Sequence, residues 1–361
     1  MNTQRPYKHL PDGSPSYLSL NDLKVFGLPA MLPYDGYLGK QIYSHRTISE
    51  VLCNILLPVQ PDLQPEAAFS TLHRLVNDGL HNKPVELAIA EVAQRILAVP
   101  LALHRLDAQL IRENSCFSTA DIAFWRQCKS VYCFGVLAQG QLGIRINNHI
   151  EAMLHCLGND PFRVQLVAVP ITPSLLGIAK HIESMGKRQG LLFDFGHSRI
   201  KRGMLCAGEG RASAMEMASI PTPNAPTDGQ ADPNWLHNMI MQTLLGAYDE
   251  AVHVYGTYAA EAHIAIANNI WNGQIANRGF YGALSALNAT DYGSYLAETM
   301  TNHTGMQWRI ALYNDADAVA LLIRRSDAAV ITLGTNLGIA YPRSAQSCAS
   351  FTTQPPHAIL S

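Results

Sequence analysis

The stretch WRIALYNDADAVALLIRRSDAAVITLGTNLG, residues 308–338, contains the pattern that decides the fold. An apolar run at 308–313 favours a strand, the spacing over 316–325 favours an amphipathic helix, and the run at 328–333 favours another strand that enters a glycine turn. The same alternation extends outward, which is typical of an α/β protein. Further strands are predicted at 130–137, 163–170, 190–195, 199–206, 211–220, 251–255 and 262–267. Further helices are predicted at 47–57, 84–110, 144–157, 174–185, 235–248 and 292–303, with Pro100 kinking or splitting the second of them.

Length and composition limit the class of protein. A chain of 361 residues with 48% apolar and 15% charged residues predicts two domains with a large core. A net charge of −2 argues against a general nucleic-acid binder. Seven irregularly spaced cysteines without a CxxC favour reduced thiols in a cytoplasm over a disulfide framework. Residues 1–20 are polar and predict an extended arm, and the sequence indicates neither a signal peptide nor a membrane span.

The first candidate segment is DFGHSRIK at 194–201, on a tight turn between two predicted strands. A carboxylate at a strand end, here Asp194, can hold magnesium through water. Gly196 would let the backbone approach phosphate oxygens, and Ser198 could donate to them. Lys201 could also meet a phosphate, although a lysine on a hairpin strand is more often solvated. An ordinary β-hairpin with a glycine in its turn is the alternative for the whole segment.

The second candidate segment is YNDADAVA at 313–320, where a strand ends and a helix begins. At such a position Asp315 can face a cleft and accept a proton from a substrate hydroxyl. The alternative is that Asn314 or Asp315 merely caps the helix, and for this segment alone the cap is the favoured interpretation.

The third candidate segment is TLGTNLG at 332–338, again a strand that runs into a glycine turn. Its backbone N–H groups could hold a β- or γ-phosphate. A plain strand-to-loop turn explains the same residues equally well. The order and spacing of the three segments are therefore more informative than any one of them.

In that order, the segments resemble motifs of the ROK (repressor, open reading frame, kinase) sugar kinases of the actin-like ATPase superfamily. DFGHS at 194–198 resembles the family's first phosphate motif, Asp-x-Gly-Gly-Thr, and IPTP at 220–223 resembles its Thr-Pro segment. NDADA at 314–318 resembles its Asn-Asp-Ala-Asn-Ala segment, which carries the catalytic base. ITLGTNLG at 331–338 resembles its second phosphate motif, Thr-Leu-Gly-Thr-Gly-Ile-Gly.

The remainder of the kinase second lobe resembles the N-terminal half of this chain. FGVLAQG at 134–140 lies where the adenosine motif would be, and SLLGIA at 174–179 resembles the closing helix. The resemblance thus implies a circularly permuted, two-lobed α/β fold of the actin-like ATPase (ribonuclease H-like) class. Residues 1–186, completed by residues 328–361, would form the adenosine-side lobe, and residues 187–327 would form the first lobe.

The implied activity is ATP-dependent phosphoryl transfer, with Mg²⁺, to a sugar or a similar small hydroxyl compound. Asp315 would be the general base, Asn314 and Asp315 would bind the substrate, and Asp194 would hold magnesium through water. The residues implied to contact ATP and its phosphates are Gly135, Gly140, Asp194, Gly196, His197, Ser198, Lys201, Gly334, Thr335, Asn336 and Gly338. The sequence is compatible with a homodimer, and neither nucleic acid nor a membrane is expected as a partner.

A second hypothesis is a non-catalytic relative that binds a sugar or a nucleotide as a sensor or a partner-binding module. His197 and Asn336 stand where the family's phosphate motifs have glycine, and the family's Glu-x-Gly-His sugar motif and Cys-rich zinc loop are absent from the sequence. These departures favour the second hypothesis, whereas the retained Asn314–Asp315 pair favours catalysis. No helix-turn-helix pattern indicates a DNA-binding repressor.

Overall fold

The computed structural model describes residues 8–158, 161–207, 212–223, 231–271, 273–288, 290–334 and 337–342. Over these residues the protein is α/β, with eleven α-helices and two mixed sheets of four and five strands. Two short hairpins, one near the N-terminus and one in the loop that follows residue 266, complete the strands.

The strands are β1 (Lys8–His9), β2 (Pro15–Ser16), β3 (Ser130–Gly135), β4 (Arg163–Leu166), β5 (Gly190–Phe195), β6 (Arg199–Ala207), β7 (Ala212–Pro221), β8 (Glu261–Ile266), β9 (Ile270–Trp271), β10 (Gln274–Ile275), β11 (Arg309–Asn314), β12 (Ala328–Leu333) and β13 (Leu337–Ala340). The α-helices are α1 (Gly39–Ile42), α2 (His45–Leu56), α3 (Ala68–Asn77), α4 (Lys83–Arg105), α5 (Ala108–Glu113), α6 (Thr119–Gln127), α7 (Gly140–Cys156), α8 (Pro173–Ser184), α9 (Pro233–Tyr255), α10 (Tyr292–Thr304) and α11 (Asp315–Ala320). Short 3₁₀ helices occupy Pro65–Ala67, Val136–Ala138 and Phe280–Ala286.

The five-stranded sheet has the order β7-β6-β5-β8-β11, in which β5, β6 and β7 are antiparallel and β5, β8 and β11 are parallel. Every residue of β5 and β8 is buried, because helices cover both faces of these central strands. Side chains alternate between the faces, so Leu191, Phe193 and Phe195 join the core beneath α9 and α10, whereas Leu192 joins α8 on the other face.

The four-stranded sheet has the order β13-β12-β3-β4, with β12 antiparallel to β13 and parallel to β3. The pairing runs from Ala328 opposite Ser130 to Leu333 opposite Gly135, so the predicted joining of strand 328–333 to the sheet of the N-terminal half is observed. Both sheets share one arrangement. In each, a strand (β5 or β12) has an antiparallel neighbour on one side and two successive parallel strands on the other.

Two helices connect the sheets, and each packs on the sheet that follows it in the chain. After β4, α8 packs on the five-stranded sheet through Leu175 and Ile178, and it leads into β5. After β11, α11 packs on the four-stranded sheet and leads into β12. The helices cross at Gly177, where an added Cβ would lie 2.0 Å from the carbonyl oxygen of Ala318. Only glycine therefore permits so close a crossing.

The N-terminal arm, expected to be extended, lies along the cleft-facing edge of the four-stranded sheet. It begins with the β1–β2 hairpin, and Asn21 then pairs with the edge strand β13. The Asn21 Nδ2 donates to the carbonyl of Leu337 at 2.9 Å, and its Oδ1 accepts from the Leu337 N–H at 3.0 Å. A single side chain thus satisfies backbone groups that a further strand would otherwise pair.

One predicted strand is wrong. Residues 251–255 form the last turn of α9, which ends at Gly256 in a left-handed conformation with φ of 74°. The sequence AVHVY alternates and contains two valines, but Val254 and Tyr255 are exposed, so the alternation does not reflect a strand face. Pro100, by contrast, lies inside a continuous α4, and the predicted helix instead ends at Arg105 before α5 begins.

Candidate active site

A cavity of about 490 Å³ lies between the two sheets, within the size range of small-molecule sites. Residues from the carboxyl ends of β5, β11, β12 and β3 line it. Parallel strands that share a sheet end at one edge, so the turns after them converge there although they are far apart in sequence.

Ten of the residues predicted from sequence line this cavity: Gly135, Asp194, Gly196, His197, Ser198, Lys201, Asn314, Asp315, Gly334 and Gly338. Gly140 does not line it, since Gly140 opens α7 beside His73 and Asn77. Thr335 and Asn336 lie outside the described residues. The three candidate segments are therefore brought to one place.

Asp194 is held at the end of β5 by two donors. Its Oδ2 accepts from the Ser174 hydroxyl at 2.8 Å and from the Lys201 ammonium at 3.0 Å, and the residue is only 6% exposed. Ser174 belongs to the first turn of α8, so this connecting helix contributes a polar contact to the site. A carboxylate with one oxygen engaged in this way could still orient the water shell of a magnesium ion through the other oxygen.

Hydrogen bonds to the backbone of Gly196 hold the turn at 196–198 in place. The Gly196 N–H donates within the turn, to Asp194 and Arg199 carbonyls at 3.1 and 3.2 Å. The Gly196 carbonyl accepts from the Thr222 hydroxyl at 2.9 Å and the Tyr281 hydroxyl at 3.0 Å. Thr222 lies in the segment that resembles the kinase Thr-Pro motif.

Two residues of this turn are exposed, His197 and Ser198, and both line the cavity. Since the Gly196 amide is bonded inside the turn, His197 and Ser198 are the residues of this turn that are placed to meet an anion.

Of the adjacent pair Asn314 and Asp315, Asn314 caps the helix and Asp315 lines the cavity. The Asn314 Oδ1 accepts from the N–H groups of Ala316 at 3.0 Å and Asp317 at 3.2 Å, so Asn314 is the N-cap of α11. Its Nδ2 donates to the carbonyl of Asn268 at 2.7 Å. Asp315 is the first residue of the helix, is partly buried and lines the cavity. The cap therefore fixes the position of the neighbouring carboxylate.

The Asp315 carboxyl has an unusual proton affinity. Burial, the largest cause, raises its pKa from 3.8 to about 6, the Lys8 ammonium works against burial, and the Asp194 carboxylate adds to it. The Ala316 N–H, which donates to Asp315 Oδ1 at 2.8 Å, favours the ionised form. A carboxyl group with a pKa near 6 is ionised at neutral pH yet a better base than an ordinary aspartate.

Lys8 is a site residue that sequence reasoning missed. Its ammonium, 7% exposed, donates to the Asn314 Oδ1 and, at 2.9 Å, to Asp317 Oδ1. A single lysine in a polar, proline-containing N-terminal arm carries no recognisable motif. Asn268 was missed for a similar reason, because its contact with Asn314 joins residues 46 positions apart.

Two of the cavity glycines have a packing role. A Cβ on Gly135 would lie 2.5 Å from the Leu333 carbonyl oxygen, and one on Gly338 would lie 2.3 Å from Thr332 Oγ1 and 3.2 Å from Ala316 Cβ. Glycine at these positions lets the ends of β3, β12 and β13 approach each other and lets α11 approach the sheet.

Among the described residues, no group of three or more His, Cys, Asp or Glu side chains converges as a direct metal site. Within the same parts of the chain, no helix combines the length and the apolar character that crossing a bilayer requires. A comparison with protein-family models and with curated proteins finds no match to this sequence.

Proposed function

We propose that this protein is an ATP-dependent phosphotransferase for a sugar or a similar small hydroxyl compound. We further propose that its fold is the two-lobed actin-like ATPase fold in permuted sequence order. The arrangement that the two sheets share supports two related lobes. The permuted order is supported by the four-stranded sheet, which combines β3 and β4 with β12 and β13 from much later in the chain. The motif resemblance to the ROK sugar kinases supports the same assignment.

The observation that carries the proposed activity is the convergence of three strand-end segments on one cavity beside Asp315. Phosphoryl transfer depends mainly on positioning and on stabilising charge, so a cleft between two rigid sheets suits it. In this proposal the exposed His197 and Ser198, with Lys201, face phosphate oxygens from one lobe. The turn at Gly334 faces them from the other, with Gly135 toward the adenosine.

The chain's own residues supply the proton chemistry. Asp315 takes the proton of the acceptor hydroxyl as the new oxygen–phosphorus bond forms to the γ-phosphorus, and the bond between that phosphorus and the β,γ-bridging oxygen breaks to release ADP. Asn314 keeps Asp315 at the edge of the cavity through the helix cap. When bound, magnesium neutralises phosphate charge, and the residue fitted to orient its water shell is Asp194.

A specific observation favours the alternative of a binding protein without turnover. The Asp194 Oδ2 is already engaged by Lys201 and Ser174, which leaves only the other carboxylate oxygen for the water shell of a magnesium ion. The Gly196 amide is likewise engaged within its turn. Under this alternative a nucleotide or a sugar binds in the same cavity and is released unchanged.

Isothermal titration with magnesium-ATP tests the binding step, and ³¹P NMR with a panel of sugars tests turnover. We expect nucleotide binding that weakens on Lys201→Met, with Lys40→Met as the control, because Lys40 is an exposed lysine of α1 outside the cavity. A nucleotide at 100 times its Kd would also stabilise the fold by about 2.7 kcal/mol in thermal unfolding. Binding without phosphorylated product would favour the binding protein. No binding at millimolar nucleotide would refute ATP as the ligand of the cavity under both the phosphotransferase and the binding-protein hypotheses.

A further inference from the structure

The N-terminal hairpin is anchored on the half of the molecule that contains the four-stranded sheet. The Ser16 hydroxyl donates to the Asp121 carboxylate of α6 at 2.6 Å in a buried contact. Leu10 and Leu18, in and just after the hairpin, are buried in the same core as β3 and β12. The hairpin is therefore a fixed part of that half.

From this anchor the two residues of β1 reach the other half. Lys8 donates hydrogen bonds to Asn314 and Asp317, at the junction of β11 and α11. The centroid of the His9 ring lies 4.1 Å from the centroid of the Trp271 ring in β9. Trp271 follows Asn268 and Asn269, which line the cavity. The hairpin thus spans the two halves at the side of the cavity where Asp315 lies.

The charges around Asp315 are unevenly balanced. Asp194 from β5 and Asp317 from α11 both oppose its ionisation, and Lys201 is engaged with Asp194. Lys8 from β1 is the cation that favours the ionised form. The other charged or titratable side chains lining the cavity are His197, Arg199 and Arg278.

In the ion pair of Lys8 with Asp317, only the lysine is buried. Lys8 is 7% exposed, whereas the Asp317 side chain is 46% exposed, so solvent screens the Asp317 charge. Asn314 is neutral and contributes only a hydrogen bond. Besides these two partners, the Lys8 charge favours the ionised form of the neighbouring Asp315.

We propose that Lys8 is a positioning residue for Asp315, delivered across the cleft by the N-terminal hairpin. It holds the junction of β11 and α11 through Asn314 and Asp317, and it supplies the positive charge that keeps the Asp315 carboxylate ready to accept a proton. The catalytic consequence rests on the proposed function, whereas the electrostatic coupling does not.

The coupling is measurable without turnover. In protein with ¹³C-labelled aspartate carboxyls and no magnesium, Asp315→Asn identifies the Asp315 resonance by its loss, and a pH titration gives its midpoint. Lys8→Met keeps the aliphatic stem and removes the charge, so the midpoint should rise by roughly one pH unit. Lys8→Arg should stay near the wild-type midpoint, and Lys40→Met, in α1, should not move it.

Should Lys8→Met fail to fold, Lys8→Gln retains a donor for Asn314 and gives the same measurement. An unchanged Asp315 midpoint in a folded, uncharged Lys8 variant overturns the inference. If a phosphoryl acceptor is found, the acid limb of kcat should move to higher pH in Lys8→Met while kcat at high pH is retained. If none is found, the proposed activity fails while the titration still decides the role of Lys8.

Discussion

Glu261 opens β8 at the amino edge of the five-stranded sheet, and Asp315 follows β11 at the carboxyl edge of the same sheet. Glu261 is buried and Asp315 is partly buried, yet their pKa values move in opposite directions. At Glu261 the cost of burial is outweighed by bonds from His263, at 2.8 Å, and from Lys187, which together lower its pKa to about 2. At Asp315 burial dominates and raises the pKa to about 6.

This difference separates a structural carboxylate from a candidate functional one. Glu261 is paired with the Lys187 ammonium and with the buried His263 imidazole, so its ionisation stabilises the fold. Asp315 has two neighbouring acids and one lysine, so its ionisation costs free energy that the rest of the fold must supply. Perturbed acids of the second kind are concentrated at sites where protons are transferred.

The largest expected effect is on turnover at the carboxyl edge. Asp315→Asn keeps the size of the side chain and an oxygen for the Ala316 N–H but removes the base, so turnover should fall roughly 10²–10⁴-fold. Nucleotide affinity should change little, because the turn at 194–198 and the cavity glycines Gly334 and Gly338 are untouched. Steady-state kinetics and titration calorimetry on the same preparation check both statements.

The matched variant at the amino edge is Glu261→Gln, which should leave kcat within a few-fold of the wild type in the folded protein. Equal losses of kcat in the two variants would remove the functional distinction between the two edges of the sheet. Wild-type turnover by Asp315→Asn would show that Asp315 is not the base.

Much of the carboxyl edge of the sheet could be predicted from sequence, because the turn after a strand has a recognisable pattern within a few consecutive residues. DFGHS, NDADA and TLGTNLG each follow or include an apolar run that ends in a glycine or a carboxylate, and the site residues predicted in them line one cavity where the structure describes them. Gly140, which was predicted from FGVLAQG, does not line it. The pairing of strand 328–333 with the N-terminal half was also predicted, from the order of these segments, and is confirmed by the register with β3.

Contacts between distant parts of the chain could not be predicted. Lys8 meets Asn314 across 306 positions, and no pattern around either residue indicates the other. The Glu261–Lys187 pair has the same character, since its two residues are 74 positions apart in the sequence. Helices α3 and α6 were missed because the polar stretches that surround them obscure their short apolar faces.

The second prediction concerns stability at the amino edge. Glu261→Gln should lower the free energy of unfolding near pH 7 by about 2 kcal/mol, less than for a fully buried ion pair because the Lys187 side chain is 34% exposed. Because the folded-state pKa is lowered, this stabilisation is complete above about pH 4.5 and is lost as the pH falls toward 2. Urea unfolding at several pH values should therefore show the two proteins converging in acid.

Glu50→Gln is the control for this variant, since Glu50 is an exposed helix residue paired with an exposed Arg46. It should leave the midpoint of unfolding nearly unchanged at every pH. A pH-independent loss in Glu261→Gln would mean that packing, not charge, explains the contribution of Glu261.

The third prediction concerns α8, which joins the two edges: Ser174 near its start contacts Asp194, and Lys187 just after its end contacts Glu261. Gly177→Ala places a Cβ against the Ala318 carbonyl and should destabilise the fold by about 2 kcal/mol through overpacking. In α9, Gly246 has no described atom within 4 Å of such a Cβ, so Gly246→Ala should instead stabilise by roughly 0.5–1 kcal/mol. Thermal unfolding of the pair would distinguish crowding at the crossing from a general effect of helix propensity, which would stabilise both variants.

The expected effect of Asp315 on stability is modest and has the opposite sign from that of Glu261. Because the folded-state pKa of Asp315 is raised, its ionisation destabilises the fold, fully above about pH 6 and not below about pH 3.8. Asp315→Asn should therefore be more stable than the wild type by about 1–2 kcal/mol at pH 7.5, a value reduced for partial exposure, and the gain should shrink as the pH falls toward 4. The exposed Asp249 of α9 provides the control, since Asp249→Asn should give no gain in stability at about pH 7.5 or at about pH 4. Urea unfolding of the three proteins at both pH values measures the difference. A loss of stability in Asp315→Asn at pH 7.5 would place Asp315 with Glu261 among the structural carboxylates, and the contrast between the two edges of the sheet would no longer hold.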